Sequence, residues 1–387
     1  MFEGFIKFGG LYLISIKIIE NNRRNKLIVV TLITHLTYWK IPENLISMTK
    51  RIGILTAGGD CPGLNAAIRG VGKTAILNHG MEVIGFTAGF SGLIWKEYVV
   101  LDESKLSGIL TVGGTILGTS REKPFKMEKG EETNEKPALI KKNYKDLELD
   151  CVVCIGGNGT MKTAAQLQKI GINVIGIPKT IDNDVFGTEV TFGFDSAVTI
   201  ATEAIDRLHT TANSHQRAMV IEVMGHDAGW IALYAGLAGG GDIILIPEIK
   251  YSIESVCKSI EKRFSMKKPY SIVVVAEGIE HPSHNSASAY IAERIQTLTG
   301  IETRDTRLGY VQRGGSPTAM DRILATRYGA YAAELIANGE YGQMVAIRDG
   351  KIGSVPLEKV GGKLSLVDPN DQLIDKARKM GVYFGDE

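Results

Sequence analysis

Short apolar runs alternate with helical stretches along most of the chain, from Met48 onward. The apolar runs predict strands at residues 51–57, 82–87, 151–155, 173–177, 218–223, 242–246, 271–276 and 344–347. The stretches between them predict helices, for example at residues 64–78, 160–170, 195–211, 228–238, 253–264, 287–299 and 317–338. Strands that alternate with helices are typical of βαβ units and parallel sheets. The pattern therefore predicts an α/β protein whose ligands bind beyond the carboxyl ends of its strands.

Residues 1–47 do not follow this pattern. Two apolar patches, residues 11–19 and 27–36, are separated by a polar stretch at residues 21–26. Neither patch approaches the roughly 20 apolar residues that a membrane-spanning helix needs, and no small-residue cleavage site of a secretory signal follows them. We interpret Met48 as the true start and the preceding segment as a non-native extension. The alternative is a native extension that is disordered or weakly ordered.

The charge balance and the composition limit the kinds of function that the protein can have. The 387 residues include 44 Lys and Arg against 43 Asp and Glu, which gives a net charge of +1. This balance excludes a strongly basic nucleic-acid-binding protein, although it permits a local basic pocket. Glycine is enriched, with 45 residues, and extra glycine in a globular chain is typical of tight strand-to-helix turns.

The four cysteines are too few for a disulfide framework. Cys151 and Cys154 form a Cys-x-x-Cys pair within a predicted strand, where this spacing points them to opposite faces. We interpret them as buried, reduced thiols and not as a metal or redox site. Reduced cysteines predict a cytoplasmic protein.

Two glycine-rich turns each connect a predicted strand with a predicted helix. Residues 58–63 read Gly-Gly-Asp-Cys-Pro-Gly, and residues 156–160 read Gly-Gly-Asn-Gly-Thr. Glycines at such a turn let an anion approach the backbone N–H groups at the helix N-terminus. Neither turn matches the P-loop pattern, and the second one does not match Gly-x-Gly-x-x-Gly. One such turn can serve helix packing alone, but two in one chain favour a ligand that carries phosphate.

The segment at residues 175–184 has the most specific chemistry. A strand ends there in a proline-fixed turn that carries Lys179, Asp182 and Asp184. A carboxylate at this place can accept a proton from a substrate hydroxyl, and a lysine can neutralise a transferring phosphoryl group. The alternative is an Asp/Asn turn with solvated charges. Elsewhere, residues 123–145 are charged and contain proline, which predicts an exposed surface insertion.

Taken in order, the motifs of the chain resemble those of the 6-phosphofructokinases. They are GGDCPGLNAAIRG from Gly58, GGTILGTSR from Gly113, GGNGT from Gly156, PKTIDND from Pro178, SHQR from Ser214, MGHDAGW from Met224, AEG from Ala276 and QRGGSP from Gln312. The similarity spans roughly residues 50–344. It implies two doubly wound, mostly parallel α/β domains with the active site in the cleft between them.

The resemblance also implies a domain division, an activity and partners. The phosphoryl-donor-binding domain comprises residues 48–193 and 306–347, the sugar-phosphate-binding domain comprises residues 194–305, and residues 348–387 form a C-terminal tail. The expected activity is phosphorylation of D-fructose 6-phosphate to fructose 1,6-bisphosphate with ATP and Mg²⁺, as in glycolysis. The expected assembly is a homotetramer or homodimer in the cytoplasm, without nucleic acid or membrane partners.

Site residues follow from the positions that match the family motifs. Asp182 resembles the base that removes the proton from the sugar C1 hydroxyl, and Lys179 is expected beside it as a catalytic cation. The expected donor-binding residues are Gly59, Arg121, Glu122, Gly157, Asn158, Gly159 and Thr160, with Asn158 at the metal position. The expected sugar-phosphate contacts are Thr180, Ile181, Asp182, Met224, Gly225, His226, Glu277, Tyr310, Val311, Gln312 and Arg313, of which Tyr310 and Arg313 hold the 6-phosphate. Arg217 and Arg304 resemble arginines that reach this phosphate from a neighbouring subunit.

Three residues depart from the common family pattern. Asn158 stands where Asp is frequent, and its amide oxygen can coordinate Mg²⁺ but adds no formal charge. His226 stands where Arg is common, and Tyr310 replaces a frequent His.

Two positions bear on which phosphoryl donor the enzyme is expected to use, and they favour different donors. Gly159 is typical of family members that use ATP, because a side chain there would crowd the nucleotide, whereas Lys179 is typical of pyrophosphate users. The combination resembles the mixed-substrate subgroup. Because a lysine can adapt to either donor and an Asp at position 159 could not, ATP is the expected donor and pyrophosphate is the alternative.

Two alternative functions must be compared with this prediction, that of another kind of kinase and that of a non-catalytic sensor. NAD kinases and lipid kinases also carry a Gly-Gly-x-Gly-Thr loop, but they lack the motifs that start here at Pro178, Ser214 and Gln312. A non-catalytic sugar-phosphate sensor would be consistent with Asn158 and His226. The presence of both catalytic candidates, Lys179 and Asp182, in the motif that starts at Pro178 favours an enzyme.

Overall fold

The computed structural model describes residues 3–8, 12–20, 26–32, 49–127, 134–282 and 285–386. The chain divides into two units, Met1–Met48 and Thr49–Glu387. In the first unit, strands β1 (Glu3–Phe8), β2 (Tyr12–Glu20) and β3 (Lys26–Leu32) pair in order as an antiparallel sheet. The rest of this unit, including the expected start Met48, lies outside the described residues. That residues 1–47 are non-native or disordered stays a prediction.

The second unit alternates strands and helices as the sequence predicts. Its strands are β4 (Arg51–Thr56), β5 (Glu82–Phe86), β6 (Tyr98–Val100), β7 (Cys151–Gly156), β8 (Val174–Thr180), β9 (Phe192–Gly193), β10 (Ala218–Val223), β11 (Ile243–Leu245), β12 (Ser271–Ala276), β13 (Thr303–Arg307), β14 (Gln343–Arg348) and β15 (Lys351–Pro356). Its helices are α1 (Leu64–His79), α2 (Phe90–Trp95), α3 (Lys136–Asp146), α4 (Asn158–Lys169), α5 (Phe194–His215), α6 (Trp230–Ala238), α7 (Ile253–Ser265), α8 (Ala287–Thr299), α9 (Ala319–Ala337), α10 (Leu357–Val360) and α11 (Gln372–Lys379). Among the described residues, no helix is both long and apolar enough to span a membrane.

These strands form two sheets. The larger sheet has the order β15-β14-β8-β7-β4-β5-β6, and β9 pairs with the end of β8. Its central pairs are parallel, whereas the edge pairs β14–β15 and β5–β6 are antiparallel. The smaller sheet has the order β11-β12-β10-β13 and is parallel throughout. Two mostly parallel sheets confirm the predicted α/β class.

The central strands of the larger sheet are apolar along their whole length because both of their faces are covered. In β4, Ile52 and Ile54 belong to one apolar cluster, while Leu55 belongs to a second cluster on the opposite face. Cys151 and Cys154 of β7 divide between the same two clusters. All four cysteines of the chain are buried and free, and burial raises the pKa of the Cys154 thiol to about 12. The prediction of buried, reduced thiols is confirmed.

The segment at residues 123–145 differs from the predicted exposed insertion. Its second half begins α3, which starts with a proline in the first turn and buries Ile140 and Asn143. The amide of Asn143 donates to the carbonyl oxygens of Leu93 and Ile94, at 3.1 and 2.7 Å. The prediction of an exposed insertion is therefore wrong for this half, because Ile140 and Asn143 are buried and Leu139 and Tyr144 also pack against the apolar cluster.

The C-terminal residues 348–387, which the sequence suggests are a tail, cross from the larger sheet to the smaller one. β15 pairs with β14, and α10 and α11 follow. Beyond α11, Tyr383 forms a parallel bridge with Ile243 of β11, and Phe384 is fully buried. The end of the chain is therefore part of the core of the second unit.

Helices α1 and α9 pack so closely that their backbones touch. A Cβ at Gly329 would lie 2.5 Å from the carbonyl oxygen of Ala67, and a Cβ at Gly70 would lie 2.8 Å from that of Thr326. A backbone atom cannot turn away as a side chain can, so both glycines are required for this approach. The contact fixes α1, whose N-terminus follows the first glycine-rich turn.

We expect Gly329→Ala to destabilise the protein. Alanine favours a helix by about 1 kcal/mol, but overpacking against backbone costs about 1–3 kcal/mol, so the midpoint of thermal unfolding should fall by several degrees. Gly353→Ala is the matched control, because a Cβ at Gly353 would meet no atom within 4 Å. A Gly329→Ala protein as stable as the control would contradict the close packing.

Candidate active site

The carboxyl ends of three neighbouring strands, β8, β7 and β4, carry the predicted catalytic and donor-binding residues. β7 lies between the other two, and Gly156 at its end pairs in register with Pro178 of β8. A Cβ at Gly157 would lie 3.5 Å from the carbonyl oxygen of Lys179. The glycine-rich turn at residues 156–160, called the donor loop below, therefore lies directly beside the end of β8, which carries the predicted catalytic residues.

Lys179 is only 3% exposed at this edge of the sheet. Its ammonium donates to the carbonyl oxygen of Gly59, which belongs to the turn after β4. Burial lowers the pKa of Lys179, and the Arg313 guanidinium acts in the same direction, while Asp182 and Asp60 oppose it. The side chain thus places a buried cation between the two glycine-rich turns.

Arg313 lies beside the same turn. Its Nη1 atom is 2.7 Å from where a Cβ of Gly59 would be, and it donates to the carbonyl oxygen of Asp60 at 3.4 Å. The sequence predicts that Arg313 holds the 6-phosphate of the sugar. In the structure this arginine contacts the turn that carries Gly59, so it lies within reach of the predicted donor site as well.

Asp182 is 9% exposed and is held by Thr180. The Thr180 hydroxyl donates to Oδ2 of Asp182 at 3.0 Å, and the backbone N–H of Asp182 donates to the same hydroxyl oxygen at 3.1 Å. The other carboxylate oxygen, Oδ1, is buried and has no hydrogen-bond partner in the described structure. The residue between them in the chain, Ile181, is fully buried and anchors the turn. One oxygen of Asp182 is therefore fixed and the other is left for a ligand.

Asp184 lies close enough to Asp182 for their charges to interact. Burial and, after it, the charge of Asp182 raise the pKa of the Asp184 carboxyl to about 6, while His226 acts in the opposite direction. The charges of His226 and Asp227, in the MGHDAGW segment after β10 of the smaller sheet, both act on the Asp184 carboxyl.

Four of the predicted sugar-phosphate residues are joined by hydrogen bonds. The backbone N–H of Met224 donates to Oε1 of the fully buried Gln312 at 3.4 Å. The backbone N–H of His226 donates to Oε1 of Glu277 at 3.0 Å. Gly225 lies between Met224 and His226 in the chain and has a φ of 147°. It admits no Cβ, because that atom would lie 2.4 Å from the carbonyl oxygen of Ala228.

The remaining predicted sugar-phosphate contacts differ in exposure. Arg217 and Arg304 both contact Oε1 of Glu302, at 3.4 and 2.8 Å, beside the edge strand β13. The Arg304 side chain is 53% exposed, whereas that of Arg217 is 18% exposed and its Nε atom is buried without a hydrogen-bond partner in the described structure. Tyr310 and Val311 are 73% and 62% exposed. Arg304, Tyr310 and Val311 are therefore exposed, in contrast to the buried group around Asp182.

The donor loop opens α4, and its residues differ in accessibility. Thr160 is buried, whereas Gly159 is exposed and a Cβ there would meet no atom within 4 Å. Arg121 is exposed, and Glu122 forms an ion pair of 3.2 Å with Lys136 of α3. The amide oxygen of Asn158 accepts a hydrogen bond of 3.0 Å from the backbone N–H of Gly362.

The oxygen atoms in the site suit a magnesium ion that is held mainly by substrate. Within the part of the chain that the structure describes, no group of three or more His, Cys, Asp or Glu residues is placed to hold a metal. Mg²⁺ in phosphoryl-transfer sites usually takes one or two carboxylates together with substrate phosphates and water. The second lone pair of the Asn158 amide oxygen fits this donor set.

The sequence patterns missed several residues of this region. Glu302, Lys136 and Gly362 contact predicted site residues, yet none of them belongs to a motif. The Gly361-Gly362 pair is the one signal that the sequence offers, because paired glycines mark a close approach of backbone.

The sequence and the fold match those of known proteins. The family model described as Phosphofructokinase matches residues 51–336. The ATP-dependent 6-phosphofructokinase 3 of Bacteroides thetaiotaomicron is 60% identical over 335 residues, which cover 87% of this chain and 100% of that protein. The ATP-dependent 6-phosphofructokinase of Spirochaeta thermophila is 55% identical over 359 residues, which cover 87% of this chain and 98% of that protein. This chain belongs to the phosphofructokinase family.

A solved structure supports the fold. The crystal structure of a pyrophosphate-dependent phosphofructokinase from Marinobacter aquaeolei is similar with a TM-score of 0.76 at 21% identity, covering 87% of this chain and 92% of that chain. At this identity the likeness supports the fold alone.

We expect Asp184→Asn to stabilise the protein at pH 7.5. The folded-state pKa of about 6 lies above the ordinary value of 3.8. The folded state therefore binds the proton more tightly, and stability from this group falls as pH rises through that window. Removing the ionisation should raise the free energy of unfolding by about 1–3 kcal/mol at pH 7.5, with a smaller gain toward pH 4.5.

Urea denaturation at several pH values measures this difference. Asp206→Asn removes an exposed carboxylate of α5 and serves as the control, for which we expect no pH-dependent gain. A gain for Asp184→Asn that does not change with pH would contradict the buried-charge explanation.

Proposed function

We propose that this enzyme transfers the γ-phosphoryl group of ATP to the C1 hydroxyl of fructose 6-phosphate, with Asp182 as the general base. The observation that carries this proposal is the buried, unpartnered Oδ1 of Asp182. A buried acceptor without a partner is costly, and a substrate hydroxyl would satisfy it. The relatives described above, which are named ATP-dependent 6-phosphofructokinases, support the choice of reaction.

The proton and the phosphoryl group move in opposite directions in this scheme. Oδ1 of Asp182 accepts the C1 hydroxyl proton as the sugar oxygen attacks the γ-phosphorus, and the bond to the bridging oxygen of ADP breaks. Thr180 keeps the carboxylate in position through Oδ2. Phosphoryl transfer requires positioning and charge neutralisation more than covalent chemistry.

The cations of the site stabilise the transferring group. The ammonium of Lys179 and the guanidinium of Arg313 both lie at the turn that carries Gly59, beside the donor loop. Mg²⁺, when bound, neutralises charge on the donor phosphates. In this proposal Asn158 supplies a protein oxygen near the ion, and the N–H groups that open α4 face the phosphates.

The donor loop supports ATP over pyrophosphate. The exposed surface of Gly159 leaves room for a nucleotide, since among the described residues a Cβ there would meet no atom within 4 Å beyond its own helical turn. Pyrophosphate is the alternative donor, and the buried Lys179 is the feature that favours it. Arg121 and Glu122 complete the proposed nucleotide site.

The proposed sugar site lies opposite, on the smaller sheet. It comprises Met224, Gly225, His226 and Glu277, with Thr180 and Ile181 on the other side, and Tyr310, Val311, Gln312 and Arg313 toward the 6-phosphate. The exposed side chain of Arg304, which shares Glu302 with Arg217, supports a role of this pair toward a neighbouring subunit of a homotetramer or homodimer. The proposed domain division is that of the sequence, with residues 194–305 as the sugar-phosphate domain, and the proposed location is the cytoplasm.

We expect Asp182→Asn to lower kcat by about 10²-fold or more, because an amide keeps the shape but cannot accept the proton. Steady-state kinetics with fructose 6-phosphate, ATP and Mg²⁺ measure this, and the KM for the sugar should change little. Asp206→Asn is the control. Near-normal kcat in Asp182→Asn would remove this residue from the role of base.

We expect Gly159→Asp to lower kcat/KM for ATP far more than for pyrophosphate. At an effective dielectric constant near 20, two unit charges about 4 Å apart repel by about 4 kcal/mol, which corresponds to almost three decades in affinity. Because the Cβ position is open, the variant should fold normally. Gly159→Asn adds the same volume without charge, so it separates the two effects. Equal losses with both donors would show that Gly159 does not select the donor.

A further inference from the structure

The C-terminal crossing passes over the proposed active site. The strap, defined here as residues 361–367, follows α10 and precedes α11. A Cβ at Gly361 would lie 3.0 Å from the Cα of Lys162, so the backbone of the strap rests on the first turns of α4. The Asn158 amide oxygen accepts the N–H of Gly362 at 3.0 Å. One end of the strap is therefore attached to the donor loop.

The middle of the strap binds residues 181–185, the turn after β8 that carries Asp182, which is called the catalytic turn below. The backbone N–H of Ser365 donates to the carbonyl oxygen of Asp184 at 2.8 Å, and Leu364 forms an antiparallel bridge with Val185. These two contacts lie just after Asp182 in the chain. The strap is thus a short added strand along the turn that carries the proposed base.

The other end of the strap is attached to the side of the smaller sheet. The indole N–H of Trp230 donates to the carbonyl oxygen of Ser365 at 2.9 Å. Oε1 of Glu248 accepts the N–H of Val367 and that of Gly229, both at 2.9 Å. Trp230 and Gly229 end the MGHDAGW segment, which contributes Met224, Gly225 and His226 to the proposed sugar site.

Ser365 therefore connects the catalytic turn directly with Trp230 on the side of the smaller sheet. Its N–H binds the catalytic turn and its carbonyl oxygen binds Trp230. We propose that Trp230 is a positioning residue for phosphoryl transfer, which acts through the strap to fix the Asp182 turn relative to the sugar site. This inference rests on the proposed role of Asp182.

The expected effect of losing this link is on the chemical step. A displacement of about 1 Å between reacting groups can reduce the rate about 10²-fold. Trp230→Phe removes the indole N–H but keeps an aromatic ring against the neighbouring side chains. The strap would then be free to shift along the turn, and we expect kcat to fall about tenfold with little change in sugar affinity.

The experiment compares Trp230→Phe with Tyr251→Phe, which removes another aromatic donor to a carbonyl oxygen, that of Glu280 at 2.9 Å, away from the strap. Each purified variant is assayed for kcat and KM at saturating ATP and Mg²⁺, and its unfolding temperature is measured. The expected result is a fall in kcat for Trp230→Phe alone. A fall in unfolding temperature with unchanged kcat would show a merely structural contact and overturn the proposal.

Glu248 provides a second, independent pair of variants. Glu248→Gln retains an acceptor for the N–H groups of Gly229 and Val367, whereas Glu248→Ala does not. We expect normal kcat in the first and reduced kcat in the second, with faster amide hydrogen exchange in the strap. Equal kcat in both variants would also overturn the proposal. A failure of Asp182 as base is seen separately, in Asp182→Asn.

Discussion

The arrangement of the active site depends on one buried cation. Lys179 lies at the end of a central strand with its ammonium almost out of contact with solvent, and burial lowers its pKa. A charge in this position is tolerated only with partners close by. The carbonyl oxygen of Gly59 and the carboxylates of Asp60 and Asp182 supply them. The Lys179 ammonium therefore interacts both with the glycine-rich turn after β4 and with the catalytic turn after β8.

The two carboxylates of the catalytic turn differ in their surroundings although they are two residues apart. Asp182 has one oxygen fixed by Thr180 and the other unpartnered, whereas Asp184 is a partly buried group with a raised pKa. The charge of Asp182 contributes to that raised pKa. The turn therefore leaves one oxygen of Asp182 unpartnered, as the proposed reaction requires, and favours the neutral form of Asp184. Environment, more than residue type, assigns their roles.

Much of the fold and of the site could be predicted from the sequence because the signals are local. Buried strands such as β7 appear as continuous apolar runs, and the glycine turn after it marks a strand-to-helix connection that leads to the sheet edge. β13 could not be predicted in this way, because its sequence Thr-Arg-Asp-Thr-Arg has no apolar pattern and it pairs on one side only, with β10. The α3 helix was missed for a related reason, since most of its residues are polar.

The strap was not predictable for a different reason. Its contacts with Asn158, Asp184 and Trp230 use the backbone groups of Gly362 and Ser365, and backbone groups are the same in every sequence. Residue types in this segment therefore carry little information about what it binds. The path of the chain between the two sheets had to be seen for these contacts to be found.

The path of the C-terminal residues also bears on how the protein forms during synthesis. Tyr383 extends the edge of β11, the backbone N–H of Ser252 donates to the carbonyl oxygen of Gly385, and Phe384 fills the core beside them. These residues are synthesised long after β11 itself. The larger sheet receives β4 to β8 early in translation, but the edge of β11 stays uncovered until residues 383–385 have also left the ribosome. A nascent chain that stalls between β11 and these residues therefore exposes an apolar strand edge to other chains.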